Sequence, residues 1–345
     1  MDQAMVDSPQ LWTDFMSLEP VYLKLKSLKE QAKGWSNEAL DRHFESRDKT
    51  ARDQENKPGF YKMTRGVGEG LAKKSKIFKF ESTCPKVLDL CMAPGGFAAT
   101  AKKHLSGAVV DAITLPPAIG GFEVMDKNVC QNIEYADITM YSKEMDFEQN
   151  IPAEHPDYRK FEINRPFFGN LYDIVICGGA VGKSHQMEPY REACERSRLT
   201  VSQLVFAMNR LKAGGSVVLL LHHVESWDTV CILNAFNQFS HIQLYKHPKM
   251  HAMTSSFYLV AKNVNLEHPC ARISMSYWKD LWKYLTFKDF TDIPSPYSTL
   301  YRLDDDFAKM VKDSFGLHFL RLARPVWKIQ AKALYKKIST QNSQE

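Results

Sequence analysis

Val87-Leu-Asp-Leu-Cys-Met-Ala-Pro-Gly-Gly-Phe97 is an apolar run carrying one acid that opens through a small-Pro-Gly-Gly turn into the helix-prone stretch 97–105. The apolar residues up to Leu90 predict a strand, and the residues after Gly96 predict a helix. Gly95 and Gly96 carry no Cβ, so the backbone can turn tightly and approach a ligand, while Pro94 pre-sets φ. The free N–H groups of the following helix would face whatever lies over the turn. Strand, glycine turn and helix N-terminus in that order predict a nucleotide-cofactor loop. The bland alternative is an ordinary crossover connection. The G-x-G-x-x-G spacing of dinucleotide sites is absent.

Working outward, β-rich runs at 86–90, 108–114, 133–135, 173–177, 216–221 and 257–260 alternate with helical stretches, the later ones at 189–211 and 226–239. That alternation predicts βαβ units and a Rossmann-like α/β fold, mostly a parallel sheet with helices on both faces. The unbroken aliphatic run 217–221 suits a strand buried on both sides. Residues 1–58 read as a helical N-terminal extension, with 21–28 as a helix face and 37–54 as a charged surface run. Residues 59–265 form the sheet domain and 266–345 a C-terminal helical appendage broken at Pro294, Pro296 and Pro325. Gly66, Gly68 and Gly70 follow no strand and are expected in a flexible loop. The proline-containing insert at 140–170 is expected to be a solvated excursion.

Composition sets the outer bounds. With 345 residues, 44% hydrophobic and 25% charged, the chain can bury one substantial core. A net charge of +5, from 45 basic against 40 acidic residues, does not by itself argue for nucleic acid. The seven cysteines include no C-x-x-C pair, which argues against a zinc ribbon and a disulfide framework, and no metal is expected. No secretion signal or membrane-spanning run is visible, so a cytoplasmic or nuclear location is expected.

The string around Pro94-Gly95-Gly96, with Asp89 before it and Phe97 after it, resembles motif I of the FtsJ-like methyltransferases. The resemblance covers roughly residues 60–262. It implies S-adenosylmethionine as cofactor, held by Asp89, Cys91, Pro94, Gly95, Gly96 and Phe97. In Ala112-Ile-Thr-Leu-Pro-Pro117, Thr114 stands where the family places an acid, and its hydroxyl can still bond a ribose. Asp137 fits the family's acid at the adenine amino group; a helix cap is the alternative.

The family's chemistry is methylation of an RNA ribose 2′-hydroxyl, assisted by a Lys-Asp-Lys-Glu tetrad. Lys62, in Phe60-Tyr-Lys-Met63, matches the first lysine, whereas Gly178, Leu220 and Ser256 stand at the other three positions. An unpaired lysine, with a pKa of about 10.4, is mostly protonated near neutrality and cannot accept a hydroxyl proton. His222, two residues beyond Leu220 on the same strand face, is a candidate substitute base; a solvent-facing strand end is its alternative. Lys249 and His251 are weaker candidates. The candidate catalytic pair is therefore Lys62 and His222.

Two features stand apart. Cys177-Gly-Gly-Ala-Val-Gly-Lys-Ser184 ends like a phosphate-binding loop, but a cysteine stands where its first glycine belongs and no helix begins at the lysine. Basic residues gather at Lys73, Lys74, Lys76 and Lys79, and at Arg321, Arg324, Lys328 and Lys332 beside Trp327 and Tyr335. These read equally as an RNA-binding surface and as the wet face of an amphipathic helix. The expected function is methyl transfer to an RNA ribose hydroxyl, with a small-molecule O-methyltransferase and a non-catalytic cofactor- or RNA-binding module as the alternatives.

Overall fold

The computed structural model describes residues 8–33, 57–80, 82–147, 151–182, 185–296 and 305–342. The charged run 37–54, and Lys183 and Ser184 of the Gly-Lys-Ser sequence, lie outside the described residues.

Strands β1 (Lys86–Leu90), β2 (Val109–Thr114), β3 (Asn132–Tyr135), β4 (Tyr172–Cys177), β5 (Leu211–His222), β6 (His241–Tyr245) and β7 (Ser256–Lys262) form one sheet in the order β3-β2-β1-β4-β5-β7-β6. Neighbours run parallel except β7, which is antiparallel to both β5 and β6. The order reverses at β1, so the crevice at the carboxyl ends of β1 and β4 is where such a sheet takes a ligand. The sequence reading missed β6, an edge strand whose residues alternate in exposure.

Helices α1 (Gln10–Ser17), α2 (Pro20–Lys33), α3 (Lys57–Ser75), α4 (Gly96–His104), α5 (Pro189–Glu192), α6 (Glu195–Arg210), α7 (Trp227–Phe239), α8 (Pro269–Phe287), α9 (Asp305–Val311) and α10 (Leu317–Asn342) complete the described elements, with a π turn at Lys312–Gly316. Helices α3 and α4 cover one face, over Val87, Val110, Ile174 and Val218. Helices α6, α7 and α8 cover the other, over Leu88, Val175, Val217 and Leu219, and the terminal helices join that same core. Trp12 of α1 packs on Trp227 of α7 and on Phe319 of α10, with ring centroids 5.4 and 5.2 Å apart. Each fully buried ring of this kind contributes about 2–3 kcal/mol, so the two chain ends brace the sheet as part of one body. No helix among the described residues is long and apolar enough to cross a membrane.

Three expectations are corrected. Gly66, Gly68 and Gly70 lie within α3, where a Cβ on Gly68 would stand 2.6 Å from Thr100 Oγ1 of α4 and one on Gly66 would stand 2.4 Å from Met250. They serve close packing rather than loop mobility. The insert at 140–170 is packed over its first part, where Glu144 is fully buried and accepts bonds from Arg210, Arg165 and Asn209, while much of 158–170 is exposed. Pro325 does not break α10 but lies inside it, on the exposed side.

Candidate active site

The turn after β1 is held from two sides. Ala93 N–H donates to Thr114 Oγ1 at 3.1 Å and Met92 N–H to Ile113 O at 3.1 Å, tying the loop to the end of β2. Gly95 takes φ 102°, a conformation that disfavours any residue with a Cβ. Gly96 has another reason. A Cβ there would stand 2.0 Å from Thr64 Oγ1 and 2.6 Å from Arg65 N, so this glycine admits α3 against the turn rather than a ligand.

Above the turn lies a cavity of about 300 Å³, within the range of roughly 300–1,000 Å³ typical of small-molecule sites. Cys91, Phe97, Thr114 and Asp137 line it, whereas Asp89, Pro94, Gly95 and Gly96 do not. Phe60 of α3 and Phe122 of the loop after β2 meet at 4.7 Å between ring centroids on its wall. Gly179 is also required: a Cβ would stand 2.7 Å from Cys91 Sγ, and its N–H donates to the buried Gln203 Oε1 at 2.8 Å.

Two buried polar groups make no hydrogen bond here. Neither oxygen of Asp89 makes a hydrogen bond, and burial pushes its pKa well up against the opposing pull of the Ala98 N–H. His185 Nε2 is likewise buried without a hydrogen bond. A cationic ligand near Asp89 would favour its ionised form, and a polar one could meet His185. The cavity itself offers Thr114, Asp137 and His185 as polar partners for a nucleoside cofactor.

Asp137 caps the short turn Ile138–Met140, as the cap alternative expected: its Oδ1 accepts from Thr139 N (3.0 Å) and Thr139 Oγ1 (2.8 Å). It also lines the cavity. Its Oδ2 accepts from Arg191 Nη2 at 2.7 Å, with His185 Nε2 3.6 Å away. Of roughly four acceptor positions on a carboxylate, protein donors fill three, leaving at most one for a ligand. Burial would raise its pKa, but His185 and Arg191 hold it far below the usual carboxylate range. Asp137, His185 and Glu195 stand close enough to share a cation, yet Arg191 already bridges both carboxylates. The guanidinium fills that role. Nothing in the sequence singled out Arg191.

The positions that the resemblance assigns to the tetrad lie as follows. Gly178, Leu220 and Ser256 all line the cofactor cavity, carrying no charge where the resemblance expects Asp, Lys and Glu. Lys62 is not brought to them. Phe60 and Thr64, four residues apart, face the cavity, which puts Lys62 on the opposite side of α3, where it is exposed. No lysine lines the cavity among the described residues. His222 does line it, paired in register with Ser256. Burial, with Arg196 nearby, pulls the His222 pKa down to about 3, so its ring is neutral at physiological pH. Lys249 is exposed, while His251 lines the wall.

Sequence reasoning missed Lys246, which is buried at the end of β6. Its ammonium donates to the carbonyls of His251 (3.0 Å), Thr254 (2.7 Å) and Ser256 (2.7 Å), three residues that line the cavity. It positions the wall without touching the space. The expected RNA surfaces lie elsewhere. Lys73 and Lys74 sit in the last turn of α3, at the other end of that helix from Phe60 and Thr64. Arg324 is paired with Glu19 at 2.8 Å, Trp327 is fully buried, and Arg321, Lys328 and Lys332 are exposed.

Parallel sheet, glycine turn and cofactor cavity define an S-adenosylmethionine-dependent methyltransferase. The model of the FtsJ-like methyltransferase family matches residues 68–264, and the chain belongs to that family. Lys62 lies before the matched span. No curated protein matches the chain. Among solved structures, one described as a ribosomal RNA methyltransferase from Plasmodium falciparum is similar at 16% identity and a TM-score of 0.34, covering 56% of this chain and 92% of that one. Human methyltransferase-like protein 13 in complex with SAH is similar at 11% identity and a TM-score of 0.36, covering 65% and 91%.

Proposed function

We propose that this chain is an O-methyltransferase whose acceptor hydroxyl is more acidic than a ribose hydroxyl and is oriented by His222. The observation that carries this reading is that Gly178, Leu220 and Ser256 converge on the cofactor cavity without a charged group and without Lys62. A ribose hydroxyl needs a strong base to lose its proton, and a neutral imidazole with a depressed pKa is a weak one. A phenol or enol, with a pKa near about 10 or below, needs much less help. Bound S-adenosylmethionine supplies an electrophilic methyl, and the protein's share is alignment of the acceptor and exclusion of water. Phe60 and Phe122 pack together on the cavity wall. Lys246 keeps the His251 to Ser256 segment in place.

Methylation of an RNA ribose is the second reading, supported by the exposed Lys73, Lys74, Lys76 and Lys79 and by Lys328 and Lys332 on α10. Calorimetry with S-adenosylmethionine, followed by methyl-transfer assays over simple phenols and over ribosomal, transfer and capped RNA, separates the readings. The proposal expects cofactor binding, transfer to phenols and none to RNA. Transfer to RNA alone supports the second reading, and binding with no transfer to any acceptor indicates a non-catalytic module.

A further inference from the structure

Behind His222 lies a second cavity, of about 160 Å³, formed where α6, α7 and α8 meet the ends of β4 and β5. It shares Leu220, His222 and the backbone at Gly179 to Val181 with the cofactor cavity, so the two spaces adjoin across one wall. Its size is close to that of an engineered cavity of about 150 Å³ that takes up benzene. Its walls combine apolar side chains, Leu220, Ile232, Trp278 and Leu281 among them, with polar ones that include Arg196, Thr200, His223 and Thr229. One carboxyl faces into it. Asp228, in the first turn of α7, meets no donor among the described residues, and burial lifts its pKa to about 6.

We propose that this second cavity binds the methyl acceptor as a single six-membered aromatic ring, with its reacting hydroxyl at His222 and a second hydrogen-bond donor on Asp228. This rests on the O-methyltransferase reading above and names its substrate class. The volume suits one ring. The apolar part of the wall favours the ring, and a ligand O–H or N–H answers the half-buried Asp228 carboxyl, which meets no donor among the described residues. The neutral His222 ring accepts the hydroxyl hydrogen bond at the opening between the cavities. The exchange balances: an O–C bond forms as the S–C bond breaks, the electron pair stays on sulfur as a neutral thioether, and the hydroxyl proton passes by way of His222 to water.

The test is calorimetric titration of catechol, phenol and a short single-stranded RNA into the full chain saturated with S-adenosylhomocysteine, which permits no turnover. The expected result is one-to-one binding of catechol, roughly tenfold tighter than phenol, as one charge-assisted hydrogen bond provides. Asp228→Asn should abolish that difference. Ile232→Trp, which fills the cavity from a half-buried position, should remove catechol binding and leave S-adenosylhomocysteine affinity unchanged. Catechol binding that is absent, or undisturbed by both substitutions, overturns the proposal, as does RNA binding in its place. Loss of S-adenosylhomocysteine binding in the unaltered chain instead sinks the methyltransferase reading on which the proposal rests.

Discussion

Two neighbouring glycines of the cofactor turn act for different reasons, and a third glycine separates packing from chemistry. Gly95 is fixed by its φ of 102°, whereas Gly96 is fixed by Thr64 Oγ1 and Arg65 N, which leave no room for a Cβ. Gly178 is bound by neither. A Cβ there would meet Leu90 O and Phe97 at 3.8 Å, an ordinary contact, so packing leaves room for a methyl at this position. Gly96→Ala should therefore cost about 1–3 kcal/mol through overpacking, and Gly178→Ala should stay within about 0.5 kcal/mol of the parent, both read from urea unfolding midpoints. Glu144 marks the other extreme. Its two oxygens hold Arg210 and Arg165 in a fully buried setting, so Glu144→Ala leaves Arg210 without its counter-ion and should lower stability by about 3–5 kcal/mol in the same assay. The glycines were visible in the sequence, but their reasons were not. A steric reason lives in the neighbour, here Thr64 on a helix more than thirty residues upstream.

At the level of elements, the connection between β6 and β7 is the part of the site that one side chain controls. Lys246 replaces three water contacts for the carbonyls of His251, Thr254 and Ser256. Lys246→Met preserves the stem but removes the donors, and should cost about 2–3 kcal/mol. Faster hydrogen exchange confined to the amides of residues 250–256, with β5 still protected, is the result expected by mass spectrometry. Exchange that rises uniformly over the sheet would mean that Lys246 supports the fold as a whole instead. The strand pattern of this region was only partly legible, since β6 is half exposed and lacks the apolar run that marks β5. Helix α3 misled in the other direction. Its glycines at alternate positions lower helix propensity, but packing compensates, because Gly68 admits Thr100 of α4, Gly66 admits Met250 and Gly70 admits Tyr245.

For the whole molecule, charge and burial set opposing responses to pH around one site. Between pH 6.5 and about 3 the unfolded chain binds a proton at His222 that the folded chain refuses, so this residue makes stability fall as the pH falls across that window. Asp228 acts oppositely. Between pH 3.8 and about 6 the folded chain keeps a proton that the unfolded chain has released, which stabilises the fold as the pH falls. Asp137 and Glu225, both held low by cationic partners, bring a further loss once the pH drops into the carboxylate range. Urea titrations from pH 7 to pH 4 should show a steeper decline for Asp228→Asn than for the parent and a shallower one for His222→Gln; equal slopes would mean that neither group changes its proton affinity on folding. The sequence by itself determined the sheet class and the glycine turn after β1, because apolar runs alternating with helical stretches, and a Pro-Gly-Gly turn, are local properties of the chain. Only the tertiary structure decided that Lys62 faces away, that Arg191 occupies the carboxylates beside the cavity and that a second cavity opens behind His222. Those outcomes depend on which side of a helix meets the sheet and on residues far apart in sequence meeting in space, and no local pattern encodes either.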